Sequence, residues 1–305
     1  MNRSPVLLTL APAEPIGAAL ARLCGYEPGT LEQRRFPDGE SYVRVASDVT
    51  GRTVVLVASL NDPDGRVPAL LFTAATCREL GAAGVVLVAP YLPYMRQDRR
   101  FRDGEALAAR LFASLLSSYV DSVVTVAPHL HRIADLSEIF PIETHVAPAT
   151  DGMADWIAGH VRTPLVIGPD EESAQWVSEV ARLAHAPWVC LRKTRSGDRS
   201  VTIEPPPAKV LEGRTPVLVD DIISTATTMA RAVHALREAG APAPVCMAIH
   251  ALFAAGAEQA LRVAGARQVV TCDTIAHPTN AVSILPGLAR TLVRAVESRP
   301  SPTTA

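Results

Sequence analysis

The chain has 305 residues, 48% of them hydrophobic and 20% charged, with a formal net charge of -2. That is enough length and apolar content for two domains with real cores, and the near-neutral balance gives no support to a broad nucleic-acid surface. Five scattered cysteines (Cys24, Cys77, Cys190, Cys246 and Cys272) lack CxxC spacing, which argues against a disulfide framework or a zinc site and suits a reducing, cytoplasmic setting.

Taken in order, strands and helices alternate, the signature of an α/β fold. The apolar run 6–10 is cut short by Pro12, Glu14 and Pro15, so it reads as a first strand and not a signal peptide. A helix over 16–23 follows, then strands over 41–45 and 53–58, a helix over 68–80, and a strand over 85–89. Next come a helix over 105–118 and a strand over 122–126. A second cycle opens near Ala147, with a helix over 151–159, a strand over 165–167, a helix over 172–184 and a strand over 188–191. A polar loop leads to the strand 216–219 and its helix. A strand over 245–250, a helix around 257–263, a strand over 268–271 and a helix near 288–296 complete the cycle. The expected division is an N-terminal domain over 1–146, a C-terminal domain over 147–298 and a disordered Pro/Ser/Thr tail over 299–305. No stretch approaches the roughly 18 apolar residues of a membrane span.

The most informative stretch is Pro216-Val-Leu-Val-Asp-Asp-Ile-Ile-Ser-Thr-Ala-Thr-Thr-Met229. A short buried strand runs out at two carboxylates, Asp220 and Asp221. Small and hydroxyl residues follow, Ser224, Thr225, Ala226, Thr227 and Thr228, and then an amphipathic helix. Open parallel sheets build phosphate and sugar sites in this way at the carboxyl ends of their strands. The turn's N–H groups and the helix N-terminus suit a phosphate, and the carboxylates suit sugar hydroxyls or a metal. Capping alone accounts for one acid, not two before a five-residue polar turn.

Other loops carry matching chemistry. Arg34-Arg-Phe-Pro-Asp-Gly-Glu40 is a turn entering a strand, with Phe36 placed to stack on a base and Asp38 and Glu40 to accept from its amino group. Arg96, Gln97, Arg99, Arg100 and Arg102 share one loop after the strand 85–89, where guanidiniums suit phosphate oxygens. His129 and His131 follow the strand 122–126. Asp170, with Glu171 and Glu172, stands at the end of the strand 165–167, where acids also serve as helix-dipole partners. If His129 and Asp170 converge, they make a magnesium site largely completed by water. Lys193 and Arg195 stand in a cationic loop whose Ser196 and Gly197 suit a mobile lid over a transferring phosphoryl group.

In this order the segments resemble ribose-phosphate pyrophosphokinase, the 5-phosphoribosyl 1-pyrophosphate (PRPP) synthetase family, over about 36–275. The family's Phe-Pro-Asp-Gly-Glu loop stands at 36–40 and its Tyr-x-Arg-Gln-Asp-Arg segment at 94–99. The metal-binding histidine matches His129, and the aspartate of the Ser-Pro-Asp segment matches Asp170. The catalytic pair of the mobile loop matches Lys193 and Arg195. The acidic pair and phosphate loop match Asp220, Asp221 and 224–228, and the Asp-Thr-Ile matches 273–275. The resemblance implies two phosphoribosyltransferase type I-like domains, each a mainly parallel sheet flanked by helices, with the site between them. It implies transfer of the diphosphoryl group of ATP to the C1 hydroxyl of ribose 5-phosphate with Mg2+, giving PRPP and AMP. It also implies a homo-oligomer in which Phe36, Asp38 and Glu40 reach the adenine of a neighbouring subunit, while Arg96, Gln97 and Arg99 contact ATP.

The chain departs from the family pattern at four places. Ala127 replaces an aspartate, and Ala226 and Thr227 replace two glycines, whose Cβ atoms are expected to narrow the phosphate site. The segment 101–105 is shorter than in regulated bacterial members, and 61–66 differs from the usual Asn-Asp-Asn-Leu-Met-Glu. Alternatives are a phosphoribosyltransferase, which has no use for an ATP pocket, a non-catalytic regulatory paralogue, and a diphosphokinase for another sugar phosphate.

Overall fold

The computed structural model describes residues 3–130, 132–196 and 200–299. The chain divides into two compact units: Met1–Pro148 together with the segment from Leu285 onward, and Ala149–Ile284.

The first unit opens with β1 (Val6–Thr9), α1 (Glu14–Cys24) and the two-residue β2 (Glu27–Pro28), followed by β3 (Leu31–Arg35) and β4 (Ser41–Val45). It continues through β5 (Thr53–Val57), α2 (Pro63–Glu79), β6 (Gly84–Ala89), α3 (Ala108–Ser117), β7 (Ser122–Val126) and β8 (Glu143–Ala147). Six strands form one sheet in the order β2-β1-β5-β6-β7-β8, every pairing parallel. The central strands are continuous apolar runs, Thr-Val-Val-Leu-Val in β5 and Gly-Val-Val-Leu-Val-Ala in β6, because both faces are covered. Leu8, Leu56, Leu87, Leu70 and Leu116 lie in their shared core, at most 1% exposed.

The second unit holds α4 (Thr150–His160), β9 (Pro164–Gly168), α5 (Ala174–Leu183) and β10 (Trp188–Cys190), then β11 (Arg192–Ser196) and β12 (Ser200–Glu204). After the short α6 (Ala208–Leu211) come β13 (Thr215–Ile223), α7 (Thr227–Glu238), β14 (Val245–Ala251), α8 (Ala257–Ala264), β15 (Gln268–Cys272) and β16 (Asn280–Val282). Its sheet, β10-β9-β13-β14-β15-β16, is parallel throughout and repeats the strand plan of the first. Each unit also carries an antiparallel hairpin, β3–β4 in the first and β11–β12 in the second.

Several expectations need correction. The loop expected over 192–199 is mostly hairpin, with β11 paired to β12 from Arg192↔Glu204 to Ser196↔Ser200. Its tip, including Gly197, lies outside the described residues. β3 also lies in a stretch read as loop. Its sequence, Leu-Glu-Gln-Arg-Arg, has no apolar alternation, and its pairing with β4 forms it. The helix expected to begin at Pro68 begins at Pro63, with Pro68 inside it, since a proline is also at home in a first helical turn. β13 does not stop at Val219 but runs on to Ile223, so Asp220 and Asp221 belong to the strand.

The last helix, α9 (Leu285–Glu297), belongs to the first unit and not the second, and it packs against α1, β7 and β8. Arg299, assigned from sequence to a disordered tail, is placed. Its Nη2 donates to Asp121 Oδ2 at 3.0 Å, beside bonds to the same carboxylate from Arg78 Nη2 (2.7 Å) and the Val85 N–H (2.7 Å). Residues 300–305 lie outside the described residues. Burial alone pushes the Asp121 carboxyl up, but these donors and cations hold it below the usual range. Arg299→Ala is expected to cost about 1–2 kcal/mol, read as a lower urea midpoint with an unchanged slope. An unshifted midpoint would show that this contact contributes nothing.

Candidate functional site

In the first unit, two segments hold the expected ATP-contacting residues and a third holds the expected metal-binding histidine. The hairpin tip between β3 and β4 closes with the Phe36 N–H donating to the Glu40 carbonyl (2.9 Å) and the Gly39 N–H to the Phe36 carbonyl (2.9 Å). Gly39 has φ 95°, open to glycine at no steric cost. The turn leaves Phe36, Asp38 and Glu40 all exposed. The Arg34 guanidinium lies 4.3 Å from the ring centroids of both Phe36 and Tyr42, a cation–π arrangement that steadies the tip.

The loop after β6 turns at Tyr94, whose φ of 66° is unusual for a bulky residue. Burial and Asp64, which accepts its hydroxyl, push the Tyr94 phenol up to about 12, so it stays a neutral donor. Arg96, Gln97 and Arg99 beyond it are exposed. Glu105 secures the far side by accepting from the N–H groups of Phe101 (2.7 Å) and Arg102 (3.1 Å). The loop after β7 leaves the strand at Ala127, with φ 36°, and carries a half-buried His129. Arg132 ties the two loops together, donating to Asp98 at 3.2 Å, where that carboxylate is only 3% exposed. Charge pairing across 34 residues leaves no local signal, and sequence reasoning missed it. His131 lies outside the described residues.

In the second unit, Asp170 follows β9 and caps the short turn Glu171–Ser173, accepting from the Ser173 N–H at 3.2 Å. Gly168 is required there, because a Cβ would lie 2.3 Å from Ser173 Oγ and 2.9 Å from Cys190 Sγ. Asp170 approaches the acidic pair of β13. Burial, then the like charges of Asp221 and Asp170, push the Asp220 carboxyl well above the ordinary carboxylate range, against the opposing Asp221 N–H bond to its Oδ1 (3.0 Å). Among the described residues no group of three or more His, Cys, Asp or Glu forms a metal cage. Magnesium kept mostly in water and phosphate oxygens needs only one or two carboxylates, and crowded oxygens are its donor type.

The turn after β13 follows directly. Ala226 takes the left-handed conformation (φ 60°, ψ 7°) and its carbonyl accepts from Ala230, opening α7 without a side-chain cap. The first N–H groups of α7 are therefore not taken up by a side-chain cap, and Ser224, Thr225, Thr227 and Thr228 stand in the same turn. At the first of the two missing glycines the backbone conformation is the one that favours glycine. Ala226 is 6% exposed within that unit's core, so its Cβ costs strain and does not narrow the turn. Thr227, the second, starts the helix and needs no glycine.

Lys193 and Arg195 lie on β11, in backbone register with Ile203 and Val201, and their side chains lie outside the described residues. The segment 273–275 is structural. Asp273 Oδ1 accepts from the Ile284 N–H (2.8 Å), and Thr274 donates to the Ile249 carbonyl (2.9 Å) beside His250 Nδ1 (3.0 Å).

Two expectations follow. In buffer without divalent cations, Asp220→Asn should raise the melting temperature at pH 7. An acid with a raised folded pKa loses folding stability as pH climbs from its unfolded value through its folded one. The gain should therefore vanish below about pH 4, where the unfolded carboxyl also keeps its proton; a gain that persists there would point to packing and not charge. In urea melts, Ala226→Gly should be neutral or gain up to about 1 kcal/mol, the lost methyl offsetting relief of strain. Thr227→Gly should lose about 0.5–1 kcal/mol; equal effects at both positions would contradict the assigned conformations.

The chain matches the N-terminal domain model of ribose phosphate pyrophosphokinase over residues 6–119 and the phosphoribosyl transferase domain model over 145–286. It is 35% identical to the ribose-phosphate pyrophosphokinase of Methanopyrus kandleri over 93% of this chain and 97% of that one. It is 34% identical to that of Saccharolobus solfataricus, over 85% and 89%. The crystal structure of phosphoribosylpyrophosphate synthetase from Mycobacterium smegmatis superposes with a TM-score of 0.82 at 26% identity, covering 97% of this chain and 99% of that one. With both units matched and its relatives covered nearly end to end, the chain belongs to the ribose-phosphate pyrophosphokinase family.

Proposed function

We propose that the chain transfers the β,γ-diphosphoryl group of ATP to the C1 hydroxyl of ribose 5-phosphate. The O1 oxygen attacks the β-phosphorus, the bond from that phosphorus to the bridging α-phosphate oxygen breaks, the hydroxyl proton is released, and PRPP and AMP leave. The observation that carries this reading is the pairing, on one strand–turn–helix, of crowded acids with uncapped helix N–H groups. The names of the relatives support it over a regulatory paralogue.

In this reading the turn 224–228 holds the 5-phosphate through backbone N–H groups and hydroxyls. Asp220 and Asp221 accept from the ribose hydroxyls and so orient O1. The ATP side is assigned to the first unit's segments. Phe36 stacks on adenine while Asp38 and Glu40 accept from it, and Arg96, Gln97 and Arg99 donate to the nucleotide. In a homo-oligomer the hairpin tip would come from a neighbouring copy. Lys193 and Arg195 stabilise the charge that builds on the transferring group. His129 and Asp170 would hold Mg2+, which offsets the triphosphate charge when bound. Alignment supplies most of the rate, since little acid–base work is needed. Among the described residues no helix is long and apolar enough to cross a membrane, and all five cysteines are free, which supports a cytoplasmic setting.

With ATP, Mg2+ and ribose 5-phosphate, the purified protein should form AMP, and absence of AMP while ATP still binds would sink the proposal. Lys193→Ala should lower kcat by about 100-fold or more with the KM for ribose 5-phosphate within about threefold. A parallel rise in that KM would assign Lys193 to binding instead.

A further inference from the structure

The two sheets share one strand plan, and the plan gives the first unit a counterpart of the turn after β13. β5 occupies the sheet position of β13, α2 follows it as α7 follows β13, and the hairpin β3–β4 precedes β5 in chain order as β11–β12 precedes β13. In the second unit this corner carries acids and hydroxyls. The first unit carries arginines there. A cavity of about 410 Å³ opens at the carboxyl ends of β1 and β5, lined among others by Gln33, Arg34, Arg35, Ser59, Asp62 and Arg66.

The charge balance at this cavity is unusual. Arg34 is engaged by the rings of Phe36 and Tyr42, and Arg35 Nη2 donates to the Gly65 carbonyl. Arg66 Nη1 donates to the Ser59 carbonyl (2.8 Å) and to Asn61 Oδ1. Among the described residues no carboxylate forms an ion pair with any of the three. Asp62 is the one carboxylate in the lining, so three cations against one acid leave a surplus of two positive charges. Each guanidinium has five N–H donors, and these bonds use only some of them. Cations in excess, with unused planar donors around one concavity, fit a doubly charged tetrahedral anion. Arg66 falls in the segment 61–66, where the chain departs from the Asn-Asp-Asn-Leu-Met-Glu stretch of its family.

We infer that this cavity is a second phosphate-binding site, built in the first unit at the position that the 5-phosphate turn occupies in the second. The topological comparison rests on the phosphate-holding role proposed for the second unit's turn; the cavity and its charge do not. The ligand is a phosphate group, carried either by inorganic phosphate or by a small phosphorylated metabolite.

The test counts phosphates. Inorganic phosphate is titrated calorimetrically into full-length wild type and into Arg35→Glu, an exposed position whose reversal cancels the charge surplus. Wild type should bind one more phosphate per chain than the variant, or bind that phosphate at least tenfold more tightly. Arg35→Lys should retain it. A melting temperature for Arg35→Glu close to wild type shows that the variant is folded; if it is not, Arg66→Gln replaces it in the same comparison. A second titration uses ribose 5-phosphate. If it also fills the extra site the ligand is a phosphorylated metabolite, and if phosphate alone does, the ligand is the free ion. Equal phosphate counts and affinities in wild type and variant overturn the inference. So does a wild type that binds no extra phosphate and whose oligomer dissociates on Arg35→Glu in sedimentation, because the arginines then meet carboxylates of a second copy. AMP formation by wild type is scored separately, so loss of the diphosphokinase reading and loss of this site are told apart.

Discussion

Three carboxylates held near one another at the ends of two parallel strands set the terms for the second unit. Asp170 follows β9 while Asp220 and Asp221 lie within the last four residues of β13, near enough for the charges of Asp221 and Asp170 to bear on Asp220. Like charges at this spacing and burial are unfavourable for the free protein, and the raised Asp220 carboxyl is the visible sign. In the proposed reading ligand chemistry makes the arrangement tolerable, since sugar hydroxyls donate to such oxygens and a hard cation neutralises them. On that reading the acids are a cost in the empty state and an asset in the loaded one.

Among the described residues five that are not glycine have positive φ: Tyr94, Ala127 and Ala226 lie in segments that follow strands of a parallel sheet, while Thr163 and His185 precede β9 and β10. Such conformations persist where surrounding structure over-determines them. Ala226 is held by the core around Met229 and Leu236, and Tyr94 by Asp64 and the ring of Phe112, 4.8 Å away.

Much of this was legible in the residues, and the gaps have physical causes. Continuous apolar runs such as 53–57 and 85–89 announced central parallel strands. β3 and β11 were not legible, because Leu-Glu-Gln-Arg-Arg and Arg-Lys-Thr-Arg-Ser show no apolar alternation and are strands through pairing with β4 and β12. The short edge strands β2 and β16 share that weakness. The extension of β13 through two aspartates was hidden by their charge, since a carboxylate usually ends a buried strand. The Arg132–Asp98 link and the return of α9 to the first unit join residues far apart in sequence, and no window of local pattern spans them.

That return of α9 also bears on the order of assembly during synthesis. The second unit is one unbroken segment, Ala149–Ile284, whereas the first needs pieces from both sides of it. α9 covers β7 and β8 and meets α1, with Cys24 Sγ directed at the Ala289 carbonyl across 265 residues. As a nascent chain emerges, the segment made first lacks its closing helix until the whole second unit has been translated. The interior insert can reach its native packing while the earlier half still exposes the apolar flank that α9 will cover. In this architecture the unit begun first is the one completed last.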